Sequence, residues 1–207
     1  NPHGIGQGGL ECNIESLCAI KKTIQLRYPI LILLIFGCAF SRVIPHMQNF
    51  SPLGAMALFG AAYFAKKWQG LLIPLLATWV SDLFINNVIY ARYYPEFTWF
   101  YSGFYWQYGS YILISVLGFF ILRKVSMPRV IAGALSATTL FFLVSNFGCW
   151  LANPMYGQNI SGLLSCYVAG VPFLKGTLLG DLVYSGVLFG SFALMQNQIP
   201  ALRLKHA

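Results

Sequence analysis

The sequence predicts an all-α, polytopic membrane protein built as a bundle of six transmembrane helices. Three observations carry that expectation: 57% of the 207 residues are hydrophobic, only 9% are charged, and the mean hydropathy is +0.66. A soluble domain carries roughly 25% charged residues, so a chain this poor in charge cannot keep a folded surface wet. A helix needs about 20 residues to cross the hydrocarbon core, and the length accommodates about five to seven spans with their loops. No separate soluble catalytic domain fits beside them.

Residues 1–22 are polar and Gly-rich, with no basic stretch leading into an apolar one. They read as a disordered leader and not as a cleaved signal peptide, which leaves residues 23–207 as a single six-helix domain. Segment one covers residues 28–40 and segment two residues 52–65, where Ser51 suits an N-cap and Pro52 the first helical position. Both are short for spans, as tilted or partly re-entrant helices are. Segments three to six, at 70–90, 103–122, 130–151 and 171–195, have near-spanning length. An aromatic loop running from Tyr93 to Trp106 has the Tyr- and Trp-rich composition of a membrane interface. A Pro-, Gly- and Asn-containing loop at 153–170 precedes the last segment.

The formal charge of +8 is scattered in ones and twos between apolar runs, which argues against a nucleic-acid partner. Cytoplasmic loops are enriched in Lys and Arg. With the N-terminus inside, Lys21, Lys22, Arg27, Lys66, Lys67, Arg123, Lys124, Arg129, Arg203 and Lys205 are cytoplasmic, and only Arg42, Arg92 and Lys175 lie outside. Both termini are therefore expected inside. The cysteines (Cys12, Cys18, Cys38, Cys149 and Cys166) show no CxxC spacing, so neither a disulfide framework nor a zinc site is expected. There is no HExxH, Walker A, GxSxG or DxD-type motif, so no catalytic residue, metal or ATP site is assigned. Active transport would then draw on another subunit or on an ion gradient.

Asp82 and Asp181 sit well inside apolar segments, where a carboxylate costs at least about 2.5 kcal/mol and marks a functional site by default. The topology gathers Arg42, His46, Asn49, Ser81, Asp82, Asn146, Trp150, Tyr156 and Asp181 in the outer half or outer loops, as candidate substrate-binding residues around a cavity open to the outside. The inner half is nearly pure hydrocarbon, unlike a continuous pore. Blander readings stand beside this one. The two aspartates can hydrogen-bond between packed helices, His46 can be an interfacial histidine, and Arg42 can snorkel or pair with an Asp. Small residues at Ala57, Ala61 and Ala65 offer a face for close helix approach, either within the bundle or to a partner membrane subunit.

The stretches RVIPHMQNFSPLGAMALFGAAYF (42–64), PLLATWVSDLF (74–84) and SNFGCWLANPMYGQNISGLLSCYVAGVPFLKGTLLGDLVYSGVLFG (145–190) resemble a DUF6580-like family of small six-helix integral membrane proteins of bacteria. That family in turn resembles the substrate-binding S-components of energy-coupling-factor vitamin transporters, and most nearly the small BtuM-type cobalamin transporters. The resemblance implies an S-component-like bundle in the bacterial cytoplasmic membrane, with an outward pocket for a vitamin-type solute. It also implies docking through Ala57, Ala61 and Ala65 on a transmembrane coupling subunit with its ATPases. Cobalamin is one candidate substrate, and no resident cofactor is expected. BtuM-type pockets carry a cysteine that ligates cobalt, whereas the third segment here reads Trp79-Val80-Ser81-Asp82. The expected function is solute binding and uptake without enzymatic activity. The alternatives are a proton-linked transporter working alone through Asp82 and Asp181, and an outer-surface membrane enzyme or assembly factor depending on His46.

Overall fold

The computed structural model describes residues 26–94 and 96–202, so the expected leader and the basic residues Lys21, Lys22, Arg203 and Lys205 lie outside the described residues. Among the described residues all regular structure is helical. The order is α1 (Leu26–Ser41), α2 (Leu53–Tyr63), α3 (Lys67–Phe84) continued by a π-helical turn (Ile85–Ile89), α4 (Phe104–Ile121), α5 (Met127–Ala152), α6 (Ile160–Gln198) and a 3₁₀ turn (Pro200–Leu202). Among the described residues four helices are long and apolar enough to cross a membrane: Lys67–Ile89, Phe104–Ile121, Met127–Ala152 and Ile160–Gln198. Only 28–39% of their most apolar windows is buried inside the protein. The rest of that apolar surface faces outward, which a bilayer satisfies and water does not.

The second expected segment is not a span. Helix α2 has 11 residues, about 16 Å at a 1.5 Å rise, roughly half of the hydrocarbon thickness. Its apolar composition reflects burial in protein and not contact with lipid: nine of its residues are buried, and it packs against α3, α4, α5 and α6. The small residues serve this packing. Ala57 is buried, Ala61 abuts Gly118 of α4, and Gly60 and Gly70 let α2 and α3 meet backbone to backbone, since a Cβ on either would strike the other's carbonyl oxygen. Ala65 lies past the end of α2 and is exposed, so the three alanines form no continuous face for a partner. Ser51 is not the cap either. Pro52 occupies the N-cap position without a side-chain hydrogen bond, and the Ser51 hydroxyl is buried without a partner.

The sixth segment begins earlier than its apolar run. Asn159 caps α6 by accepting from the Gly162 amide at 2.8 Å, so the expected 153–170 loop shrinks to residues 153–159 and the helix reaches 39 residues. Its first turns are rich in Gly and Ser, which masked them as loop. An Asn just before the periodic run was the available start signal.

Arg27, expected among the cytoplasmic basic residues, lies at the same end as Lys66 and Lys67 but does not face solvent. It is 5% exposed, and it donates to the Leu202 carbonyl at 2.7 Å and to the Tyr63 carbonyl at 2.9 Å. Its guanidinium lies over the rings of Tyr63 and Phe192. It therefore ties α1 to the C-terminal end of α2 and to the 3₁₀ turn at Pro200–Leu202. Arg27→Met is expected to lower unfolding stability in detergent by about 2–4 kcal/mol, because two buried carbonyls lose a charged donor. A denaturant titration of the purified protein checks this.

Candidate functional site

A cavity of about 400 Å³ opens at one end of the bundle. Its lining comes from the chain just after α1, the 46–51 segment, the end of α3, the start of α4, the end of α5 and the middle of α6. Lys66, Lys67, Arg123, Lys124 and Arg129 sit at the opposite helix ends. The cavity wall between α1 and α2 is irregular backbone, with Asn49 in the left-handed region at φ 60°, where Asn is better tolerated than most residues. Gly176 and Gly180, four apart on α6, receive this strand of chain. A Cβ at Gly176 would collide with the Gln48 carbonyl and one at Gly180 with the Ser51 backbone. Irregular backbone at membrane depth is tolerated where it is buried in protein or lines a cavity, and this segment does both.

Arg42 forms the polar wall. Its Nη1 donates to Asp82 Oδ1 at 2.7 Å and to the Ser81 hydroxyl at 2.8 Å. Tyr108 donates its hydroxyl to Asp82 Oδ2 at 2.7 Å. Ser81 and Asp82, both buried, therefore stand behind Arg42 and hold it, while Arg42 itself lines the cavity. Charge-assisted bonds of this length are about twice as strong as neutral ones, so the guanidinium is fixed in place. The loop between α3 and α4 closes over this cluster. Asn87 fastens it by donating to the Thr98 carbonyl and accepting from the Thr98 amide. The π-helical turn at its root puts Ile85 and Tyr90 on the cavity.

Asp181 lies at the cavity floor with 2% exposure. It accepts from the Thr138 hydroxyl at 2.7 Å and from the backbone amide of Ala55. That amide belongs to the first turn of α2, whose N–H groups have no intrahelical acceptor. Asp181 thus caps α2 from a neighbouring helix, in place of the side-chain cap that Pro52 lacks. Gly54 makes room for it, since a Cβ there would overlap the carboxyl group.

His46, Asn49 and Asn146 also line the cavity, whereas Trp150 and Tyr156 do not. Trp150 donates its indole N–H to the Gly157 carbonyl at 3.0 Å, and its own carbonyl accepts from Gln158, so it braces the 153–159 loop, where Tyr156 closes a turn on Asn153. Sequence reasoning missed Gln107 and Tyr111, four apart on α4 and both facing the cavity. A glutamine inside an apolar helix was the signal that could have found them. Tyr111 stacks on Phe141 with centroids 5.7 Å apart and planes at 6°. Tyr101 donates its hydroxyl to Gln107 Oε1 at 2.8 Å. Burial, and next the nearby Asp82 charge, push the Tyr101 hydroxyl far above its usual range, so it stays a donor and fixes the orientation of the Gln107 amide. Cys149 at the cavity and Cys166 on α6 are neighbours, a proximity that the sequence spacing did not suggest. Among the described residues no group of three or more His, Cys, Asp or Glu lies together.

Fold and site together define, among the described residues, an all-helical protein with four apolar helices long enough to span a membrane, packed with a short buried helix around a polar cavity at one end. The chain belongs to DUF6580, a family of unknown function, whose model matches residues 22–202. No curated protein and no solved structure matches it.

Proposed function

We propose that the protein is a solute-binding uptake protein of the bacterial cytoplasmic membrane that takes a vitamin-type solute into its cavity from outside. The single observation that carries this reading is the one-ended cavity, polar at Arg42, Asn146, Gln107 and Tyr111 and placed opposite the basic helix ends. Basic residues favour the cytoplasmic side, which turns the cavity mouth outward and both termini inward. A cavity of about 400 Å³ lies within the roughly 300–1,000 Å³ of small-molecule sites. In this reading the protein binds and delivers its solute without transforming it, and an energy-coupling membrane subunit with its ATPases drives release. Docking of that subunit falls to surfaces other than α2, whose small residues are spent inside the bundle. The engagement of both aspartates by protein donors supports a scaffolding role for them over proton carriage.

Mass spectrometry of protein purified in mild detergent tests the reading: a small solute should co-purify with the wild type in stoichiometric amount. Cys149 gives an independent test of orientation. In a Cys12→Ser, Cys18→Ser background, a membrane-impermeant maleimide added to intact cells should label Cys149, and bound solute should slow the labelling. Labelling only after permeabilisation would reverse the proposed direction.

A further inference from the structure

The hydrogen-bonding capacity of the cavity is unbalanced. Arg42 uses only Nη1 in its bonds to Asp82 and Ser81, so the Nε and Nη2 edge, with three N–H groups, makes no hydrogen bond among the described residues. Gln107 has its Oε1 committed to Tyr101, which leaves its two amide N–H groups. Tyr111 lines the cavity with a hydroxyl that makes no hydrogen bond among the described residues. Against the five N–H groups of Arg42 and Gln107 stand the Tyr111 hydroxyl, which can donate or accept, and the Oδ1 of Asn146, whose amide nitrogen donates to the Phe142 carbonyl, so the wall around Arg42 and Gln107 is rich in donors. A cationic solute would meet Arg42, and the one carboxyl group at the cavity, on Asp181, already accepts two bonds and is 2% exposed. The walls beside these donors are aromatic, with Tyr111 stacked on Phe141, and Phe142, Phe173 and Tyr90 nearby.

From this we infer that the solute is a small carboxylate carrying a flat ring. The carboxylate binds the Nε/Nη2 edge of Arg42 in the side-on bidentate geometry that guanidinium favours, and the ring lies against the Tyr111–Phe141 wall. The cavity volume holds one or two fused rings with their carboxylate and not a corrin macrocycle with its nucleotide loop. This inference rests on the solute-binding reading and adds the chemistry that the site selects.

The test measures binding to the full-length protein in nanodiscs by calorimetry, using 4-aminobenzoate, indole-3-acetate and 2-naphthoate, each against its neutral amide. A charged acceptor adds about 1.5–3 kcal/mol per hydrogen bond, so at least one acid should bind about 10- to 100-fold more tightly than its amide. Gln107→Glu keeps the acceptor for Tyr101 but replaces the amide donors with a second negative charge. It should weaken the acid by about tenfold or more and the neutral amide, which loses a donor but meets no like charge, by clearly less, with the melting temperature checking that the fold is kept. Amides that bind as tightly as the acids, or an indifferent Gln107→Glu, overturn the carboxylate assignment while solute binding stands. Absence of binding by every compound overturns this inference, and if no solute co-purifies either, the uptake reading falls with it.

Discussion

Asp82→Ala is expected to destabilise the protein by about 2–4 kcal/mol, because it leaves the half-buried Arg42 guanidinium without its counter-charge. Side-chain exposures of 18% for Arg42 and 7% for Asp82 mean that water from the cavity replaces the lost partner only in part. The Tyr108 hydroxyl would lose its acceptor. The pair itself need not add net stability, since its desolvation cost offsets much of the attraction. Arg42→Met combined with Asp82→Leu is therefore expected to recover most of the stability lost in the single variant while abolishing solute binding. Denaturant titrations of the two variants beside the wild type decide the matter. Wild-type stability in Asp82→Ala would show that the ion pair does not hold this end of the bundle.

The second large effect falls on Asp181→Ala, with an expected loss of about 2–4 kcal/mol. Removing a helix cap costs about 1–2 kcal/mol, and leaving the buried Thr138 hydroxyl without its acceptor costs about 1–3 kcal/mol. Asp181→Asn keeps a carbonyl oxygen for the Ala55 amide and should cost about 1 kcal/mol or less. The two substitutions also separate the possible roles of the residue. A capping Asp181 predicts that the Asn variant retains solute uptake at close to wild-type rate. Uptake abolished in Asp181→Asn with stability intact would instead favour a proton-carrying residue.

Much of this arrangement was legible in the sequence, for definite reasons. The apolar runs of α3 to α6 exceed what a soluble core uses, so their number and type followed from length and hydropathy. Arg42, His46, Asn49 and Asn146 are polar residues at one end of apolar segments and Asp181 lies within one, and the structure places all five on one cavity. The failures have one cause in common, namely that an apolar or polar residue was assigned its surroundings from its neighbours in sequence. The α2 run is apolar because protein surrounds it, which composition alone cannot distinguish from lipid. Arg27 looked like a loop residue because carbonyls at Tyr63 and Leu202, 36 and 175 positions away, are its partners. Trp150 braces, and Tyr156 belongs to, a short loop instead of a long one, because α6 begins at its Asn159 cap.

By itself the sequence determined a helical, membrane-type protein with its polar chemistry gathered at one end, because hydropathy and charge are summed locally along the chain. Tertiary structure alone decided that α2 ends inside the bundle, that Asp181 caps it across a Gly54 gap, and that Asp82 serves Arg42 from behind the cavity wall. Those outcomes depend on which backbone amide or guanidinium comes within about 3 Å of a carboxylate, a distance that residues far apart in sequence reach only once the helices have packed.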